Sequence, residues 1–245
     1  MNARHAFILS SLAITSCGSG GVGASATAVP PAIVTHADAT HPAVVELYQS
    51  QGCSSCPAAD ANVNAIAGRP DILALSFAVT YWDNLGWKDT FARPGFTARQ
   101  WDYARSAGRD QVATPQVIVN GRGTVVGNDA ARLAMAIRDN ARHPGGPTIA
   151  VRDGKVVISA AATTRPLTIW LVRYDPRTLR VPIRAGENDG KTLLHRNIVR
   201  SLDAFGTWSG ESMALAIPAA ANPAYRTAVL LQQGKGGPIM AASRI

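Results

Sequence analysis

Apolar positions along this chain change spacing several times, and each change marks an element. Residues 43–50, AVVELYQS, are rich in β-branched and aromatic side chains between Pro42 and Gly52, the pattern of a buried strand. From Cys56 onward, Ala59, Val63, Ile66 and Ala67 recur at helical spacing until Gly68 and Pro70 stop the run. Pro57 suits the first helical turn, where its missing N–H is not needed. DILALSFAVTYW (71–82) predicts a second strand, apolar enough to be covered on both faces. In the polar and aromatic segment that follows, Thr97 is a candidate cap, and Phe96, Gln100, Tyr103 and Ala104 share one helical stripe. ATPQVIVNGRGTVVG carries two short strands joined at Asn120-Gly121, a dipeptide suited to a tight hairpin because both positions accept positive φ. NDAARLAMAIRDNA predicts a helix capped by Asn128 or Asp129, with Leu133, Met135 and Ile137 available for a core. The predicted order is strand, helix, strand, helix, strand, strand, helix.

After RHPGGP (142–147) the texture changes to short alternating runs punctuated by Asp-Gly, Asn-Asp-Gly and Gly-Gly. TIAVRDGKVVISA, PLTIWLVRYD, SMALAIP, AYRTAVLLQQ and GPIMAASRI together predict an antiparallel sandwich of roughly six to eight strands. Trp170, Val172 and Tyr174 would face one way, Ile169 and Leu171 the other. The expected fold class is therefore an α/β domain over 42–145 followed by an all-β sandwich domain over 146–245.

The first 23 residues have the layout of an export signal: Arg4 early, an apolar stretch from Ala6 to Ile14, then small residues. Signal-peptidase cleavage near GASATA is one route. Lipidation at Cys17 is the other, because Ile14-Thr15-Ser16-Cys17 resembles the bacterial lipobox. Residues 24–41, rich in Ala, Thr and Pro without periodicity, read as a linker. The location expected is the periplasm or, lipid-anchored, the bacterial envelope, with membrane contact only through that lipid. Hydrophobic residues make up 47 % and charged residues 16 % of the 245-residue chain, and no downstream apolar run approaches the roughly 20 residues of a spanning helix. The net charge of +8 is spread along the sequence without a clustered basic face, so no nucleic-acid partner is expected.

Two of the three cysteines lie in QGCSSCPAAD, residues 51–60, spaced Cys53-Ser-Ser-Cys56 at the start of the first predicted helix. Exposed N–H groups and the macrodipole at a helix N-terminus favour a thiolate, which lowers the pKa of the first cysteine. Cys53 is thus the expected surface nucleophile. Cys56, one turn in, would resolve the mixed disulfide. With Cys17 cleaved off or lipidated, these two form an even pair, as an oxidising compartment favours. The same spacing also serves zinc sites, copper(I) sites and structural links. Zinc needs about four ligands, and no histidine lies near the pair. Copper(I) accepts two thiolates. A bridge over so short a loop removes little unfolded-state entropy and staples weakly. No metal site and no bound cofactor is expected.

YWDNLGWKD (81–89) offers Tyr81, Trp82, Asp83, Trp87 and Lys88 as a substrate groove, with core filling as the plainer role for Trp82 and Trp87. His195 and Asn197 lack a partner at catalytic spacing and read as structural.

The CxxC pair, Thr114-Pro115 and Glu46, together with YWDNLGWKD, GFTARQWDYA, GENDGKTLLHRNIVRSL and GPIMAA, resemble the exported bacterial thioredoxin-like family known as domain of unknown function 1223. The resemblance covers roughly residues 43–243. It implies a thioredoxin-like first domain, in which Pro115 is a cis proline beside the disulfide, leaving the adjacent backbone at Thr114 free to pair with substrate. It also implies that Glu46, seven residues before Cys53, stands where thioredoxin has a buried acid and assists proton transfer for Cys56, the plainer reading being a strand-end Glu with its head in water. The function expected is an exported thiol–disulfide oxidoreductase acting on protein or small thiol and disulfide substrates, with an unidentified redox partner. A cell-envelope binding module with a structural disulfide, or a copper(I)-handling protein, is the alternative. In a bacterial host, palmitate should label the chain, and Cys17→Ala should abolish that label; absence of label on the parent chain removes the anchor.

Overall fold

The computed structural model describes residues 37–142 and 145–245, so the export signal expected over residues 1–23, with Cys17, lies outside the described residues. Strand β1 (Ala43–Gln49) and strand β2 (Ile72–Ala78) run parallel, joined by helix α1 (Cys56–Ile66). Both strands are buried along their whole length, as their unbroken apolar runs require. Helix α2 (Pro94–Ser106) follows, then the hairpin of β3 (Gln116–Val119) and β4 (Gly123–Val125), then helix α3 (Ala130–Asp139). Asn120 and Gly121 turn that hairpin with φ of 49° and 64°, the left-handed values their side chains tolerate. Helix α3 is capped by Asp129, whose carboxylate accepts the N–H groups of Ala131 and Arg132. Helix α2 starts at Pro94, without Thr97 as its cap. The Thr97 hydroxyl instead accepts the Thr80 N–H at 2.9 Å and so ties the helix to the loop after β2.

Alternation along β1 decides which helix sits on which face. Val45 and Leu47 pack with Ala59 and Val63 of α1 and Leu133 of α3. Val44 and Tyr48 point the other way, into a core with Phe96 and Tyr103 of α2.

The second half of the chain corrects the expected fold class. Strands β7 (Leu167–Asp175), β10 (Ile198–Trp208), β12 (Arg226–Gln233) and β13 (Ile239–Arg244) do not form a separate sandwich. They join the first half in one eight-stranded mixed sheet, ordered β13-β12-β7-β10-β2-β1-β3-β4. The described chain is mostly β, with 13 strands and three helices, and is not an α/β thioredoxin domain followed by an independent β domain. The reason is the free edge of β2. A strand buried on both faces still has two edges; β1 takes one, and the second accepts β10. Asn197, with φ 52°, makes the seam: its main-chain oxygen accepts the Ser76 N–H at 3.0 Å and its side chain donates to the Ala74 oxygen at 2.9 Å. Trp170, Val172 and Tyr174 face the α2 core, while Ile169 and Leu171 face a second sheet. That sheet is ordered β11-β6-β5, from β5 (Ile149–Arg152), β6 (Lys155–Ile158) and β11 (Met213–Ala216). Strands β8 (Leu179–Pro182) and β9 (Thr192–His195) form a two-stranded ribbon beside α1.

A buried ion pair locks the halves together. Arg99 of α2 is 5 % exposed and Glu46 of β1 0 %, and the guanidinium donates to the carboxylate at 2.8 Å. The same guanidinium donates to Gln232 Oε1 of β12 at 3.0 Å and to the Tyr103 hydroxyl at 3.1 Å. Tyr103 in turn donates a short bond to Glu46. The Arg99 guanidinium lies 5.2 Å from the Trp170 ring centroid. Burial alone would lower the guanidinium's pKa, but the Glu46 charge holds it above its ordinary value, so Arg99 stays charged. Removing one partner of such a pair leaves an uncompensated buried charge. Glu46→Ala should cost about 3–5 kcal/mol of stability, read as a drop in the urea midpoint with an unchanged slope.

Candidate active site around Cys53 and Cys56

The ends of β1 and β2 and the start of β3 meet at one end of the sheet, because β1 and β2 are parallel and β3 is antiparallel to them. Three loops therefore gather there: residues 50–55, residues 79–93, and the approach to β3 through Thr114-Pro115. Cys53 and Cys56 are joined by a disulfide with their Cα atoms 5.4 Å apart. Cys56 opens α1, Ser55 makes no side-chain cap, and the Cys56 N–H donates to the Cys53 main-chain oxygen at 3.2 Å. Cys53 Sγ lies 3.4 Å from the Ser55 hydroxyl.

Both cysteines are 0 % exposed, whereas Ser54 and Ser55 between them face solvent. The expectation of an open Cys53 is thereby corrected. Its cover comes from more than 130 residues away, in the loop between β8 and β9. Asn188, itself buried, donates its side-chain amide to the main-chain oxygens of Gln51 and Cys53, each at 2.9 Å. Lys191 holds the other end of that amide at 2.9 Å. Glu187 accepts the Ser54 N–H at 3.0 Å. The Ser54 hydroxyl first, and then this N–H, hold the Glu187 carboxyl below its ordinary pKa of 4.5, so its hold is complete above 4.5 and is lost as pH falls through the lowered value. Gly186, with φ 76°, is needed for close approach: a Cβ there would stand 3.2 Å from Trp87 Cβ.

The aromatic segment closes the other side. Trp87 donates its ring N–H to Gln51 Oε1 at 2.9 Å, and Trp82 donates to the Thr114 hydroxyl at 2.7 Å. A Cβ at Gly52 would meet Trp82 Cβ at 3.3 Å, so Trp82 lies directly on the turn before Cys53. Asp89, buried, accepts the Gln51 N–H at 2.9 Å, and burial raises its pKa. Asp83 accepts the Asp89 N–H at 3.1 Å and serves the loop. Tyr81 donates to Gln100 at 3.2 Å, and Lys88 is exposed. The Thr114–Pro115 bond is cis.

The structure thus brings together Cys53, Cys56, Trp82 and Thr114, with Tyr81, Asp83 and Lys88 along the adjoining loop. It does not bring Glu46 to Cys56. Glu46 shares the face of Val44 and Tyr48 and pairs with Arg99, whereas α1 packs on the opposite face with Val45 and Leu47. Glu46 secures the interior instead of serving the inner thiol. Among the described residues, no group of three His, Cys, Asp or Glu side chains could hold a metal ion. Sequence reasoning missed Asn188, Glu187, Gln51 and Asp89. GENDGK reads as a turn, and no spacing rule links residue 188 to residue 53.

A family model described as "Protein of unknown function (DUF1223)" matches residues 44–232. The chain belongs to this family. The DUF1223 chain is similar to the crystal structure of protein AGR_C_4864 from Agrobacterium tumefaciens, at 31 % identity and a TM-score of 0.67, over 83 % of this chain and 93 % of that one. It also resembles HBP35 of Porphyromonas gingivalis, with a TM-score of 0.53 over 84 % of this chain and 75 % of that one. At 12 % identity that second likeness concerns the fold alone. No curated protein matches this DUF1223 chain.

The two Asn188 bonds are worth roughly 0.5–1.5 kcal/mol each. Asn188→Ala should therefore speed reduction of the native disulfide by a phosphine reductant about tenfold, followed by thiol release in native buffer.

Proposed function

We propose that this protein is an exported thiol–disulfide oxidoreductase whose reactive pair is shielded at rest by the loop around Asn188. The single observation that carries the reading is a disulfide at the mouth of α1, with no side-chain helix cap, covered by a loop held through two amide bonds. A surface loop held mainly by side-chain hydrogen bonds can open at a free-energy cost well below that of global unfolding. When the loop swings away, the outer sulfur faces solvent and the helix end stabilises its thiolate.

The exchange then balances in two steps. In the reduced protein the Cys53 thiolate attacks a substrate disulfide; one substrate sulfur leaves as thiolate, and a mixed disulfide forms. Cys56 loses its proton, attacks Cys53 Sγ, and expels the second substrate sulfur. The protein is oxidised by two electrons and the substrate reduced by two. Run backwards, the same steps oxidise a substrate dithiol. Protein or small thiols and disulfides are the substrates, a separate redox protein resets the pair, and Trp82 with Thr114 lines the rim where an extended substrate chain would lie. The leader sequence supports export, and the lipobox-like run at Cys17 supports an anchored form.

A second reading has its own observation. Both sulfurs are sealed, which suits a binding module whose disulfide serves shape alone. Reactivity separates the two. Mild dithiothreitol in native buffer followed by alkylation should label Cys53 within minutes and Cys56 far more slowly. Resistance until the protein unfolds, or equal labelling of both only then, removes the oxidoreductase reading and leaves the scaffold.

A further inference from the structure

Three buried side chains that can hold a proton cluster near the start of α1. Asp60 of α1, Asp89 of the loop after β2, and His195 at the end of β9 are 4 %, 2 % and 0 % exposed. His195 Nδ1 stands 3.8 Å from Asp60 Oδ1. The His195 ring meets the Phe91 ring edge-on at 5.8 Å, and the Phe91 N–H donates to Asp89 at 2.8 Å. The other Asp89 oxygen carries the Gln51 N–H, two residues before Cys53. Helix α1, the loop after β2 and the end of β9 thus meet one another beside the cysteine loop.

Asp60 follows Cys56 by four residues, so the two share a face of α1, and both are buried. Side chains on a helix lean toward its N-terminus, so the Asp60 carboxyl lies back over the turn that bears Cys56. Asp60 Oδ2 and both ring nitrogens of His195 are buried and have no hydrogen-bond partner among the described residues. Native interiors leave few such groups idle, and those that persist call for a reason.

We infer that Asp60 and His195 are the proton acceptor for Cys56. The inference rests on the exchange reading above. With a substrate sulfur on Cys53, the Cys56 thiol must lose its proton before it can attack, and a sealed thiol has no water to take it. The proton passes to the Asp60–His195 pair, the Cys56 electron pair forms the bond to Cys53 Sγ, and the substrate departs as thiolate. Reduction of the disulfide returns the proton to Cys56. Asp60 and His195 act on the inner sulfur alone and are proton-transfer residues, with Cys53 the nucleophile. The charged groups around them are Asp89 on the loop after β2, Glu187 and Lys191 on the covering loop, Arg196 against Gly68 at the end of α1, and Arg200 over the Phe91 ring at 4.6 Å.

The reduced full chain, mixed with 5,5′-dithiobis(2-nitrobenzoate) in a stopped-flow instrument, gives two releases of thionitrobenzoate: attack by Cys53, then displacement by Cys56. In Asp60→Asn and His195→Gln the second rate, taken as a ratio to the first, should fall at least tenfold at neutral pH. Its pH midpoint should move up toward the free-thiol value of about 8.5, and Asp60→Glu should restore part of the rate. An unchanged ratio and midpoint in both variants overturn the proton acceptor while leaving the oxidoreductase standing. A parent protein with no native first release overturns both. Should the variants fail to fold, the parent's own second-step midpoint decides: a value at that of a free thiol overturns the inference, and a lower one supports it.

Discussion

A carboxylate in the middle of a buried sheet needs a cation held to it, and Glu46 has Arg99. The guanidinium then has to be satisfied in turn, which it is by Tyr103 on its own helix and by Gln232 on a strand more than 130 residues downstream. Each of these groups spends its hydrogen-bonding capacity on the others: Tyr103 donates once and accepts twice, and Gln232 reaches on to the Gly237 oxygen. Helix α2, strand β1 and strand β12 are thereby fixed by one charge pair whose members cannot be removed singly. The end of β1, and so the origin of the loop that carries Cys53, inherits its position from this interior lock.

With the sheet so fixed, the reactive pair depends on what lies above it. The cover is built from main-chain oxygens on the cysteine loop and one asparagine amide opposite, with a glycine beside it where the two loops touch. Such a contact is specific without being strong. A disulfide beneath a tight, apolar seal would be inert, and one in open solvent would exchange with any thiol. The Asn188 amide clasp lies between these limits, and on the exchange reading proposed above the free energy of opening it would set how selective that exchange can be. A partner able to replace the Asn188 contacts with its own backbone donors would be favoured over small thiols, which cannot.

Much of the architecture was legible in the residue pattern, but the way its pieces join was not. The unbroken apolar runs of β1 and β2, the Asn120-Gly121 hairpin, the Asp129 cap and the alternation along β7 all state which faces are buried. Faces are what periodicity encodes. Edges are encoded by nothing so regular, and so the pairing of β10 with β2 through Asn197 could not be read, and two domains were expected where one sheet runs through both. The candidate site divides the same way. Cys53, Cys56, Thr114 and Trp82 are local marks and do gather. Glu46 was placed by its distance in sequence from Cys53, but strand alternation turns it to the opposite face. Asn188 reaches the cysteine loop from between β8 and β9, and His195 reaches Asp60 from the end of β9, by contacts that only the folded chain creates.

The distance in sequence between the clasp and what it clasps orders events in time. A chain emerging from the ribosome or crossing a membrane presents both cysteines while Asn188, some 135 positions behind Cys53, has yet to appear. For the whole of that interval the cysteine loop lacks the contacts that Asn188 makes with Gln51 and Cys53. Of the segments gathered around the two cysteines, their cover is the last to be made.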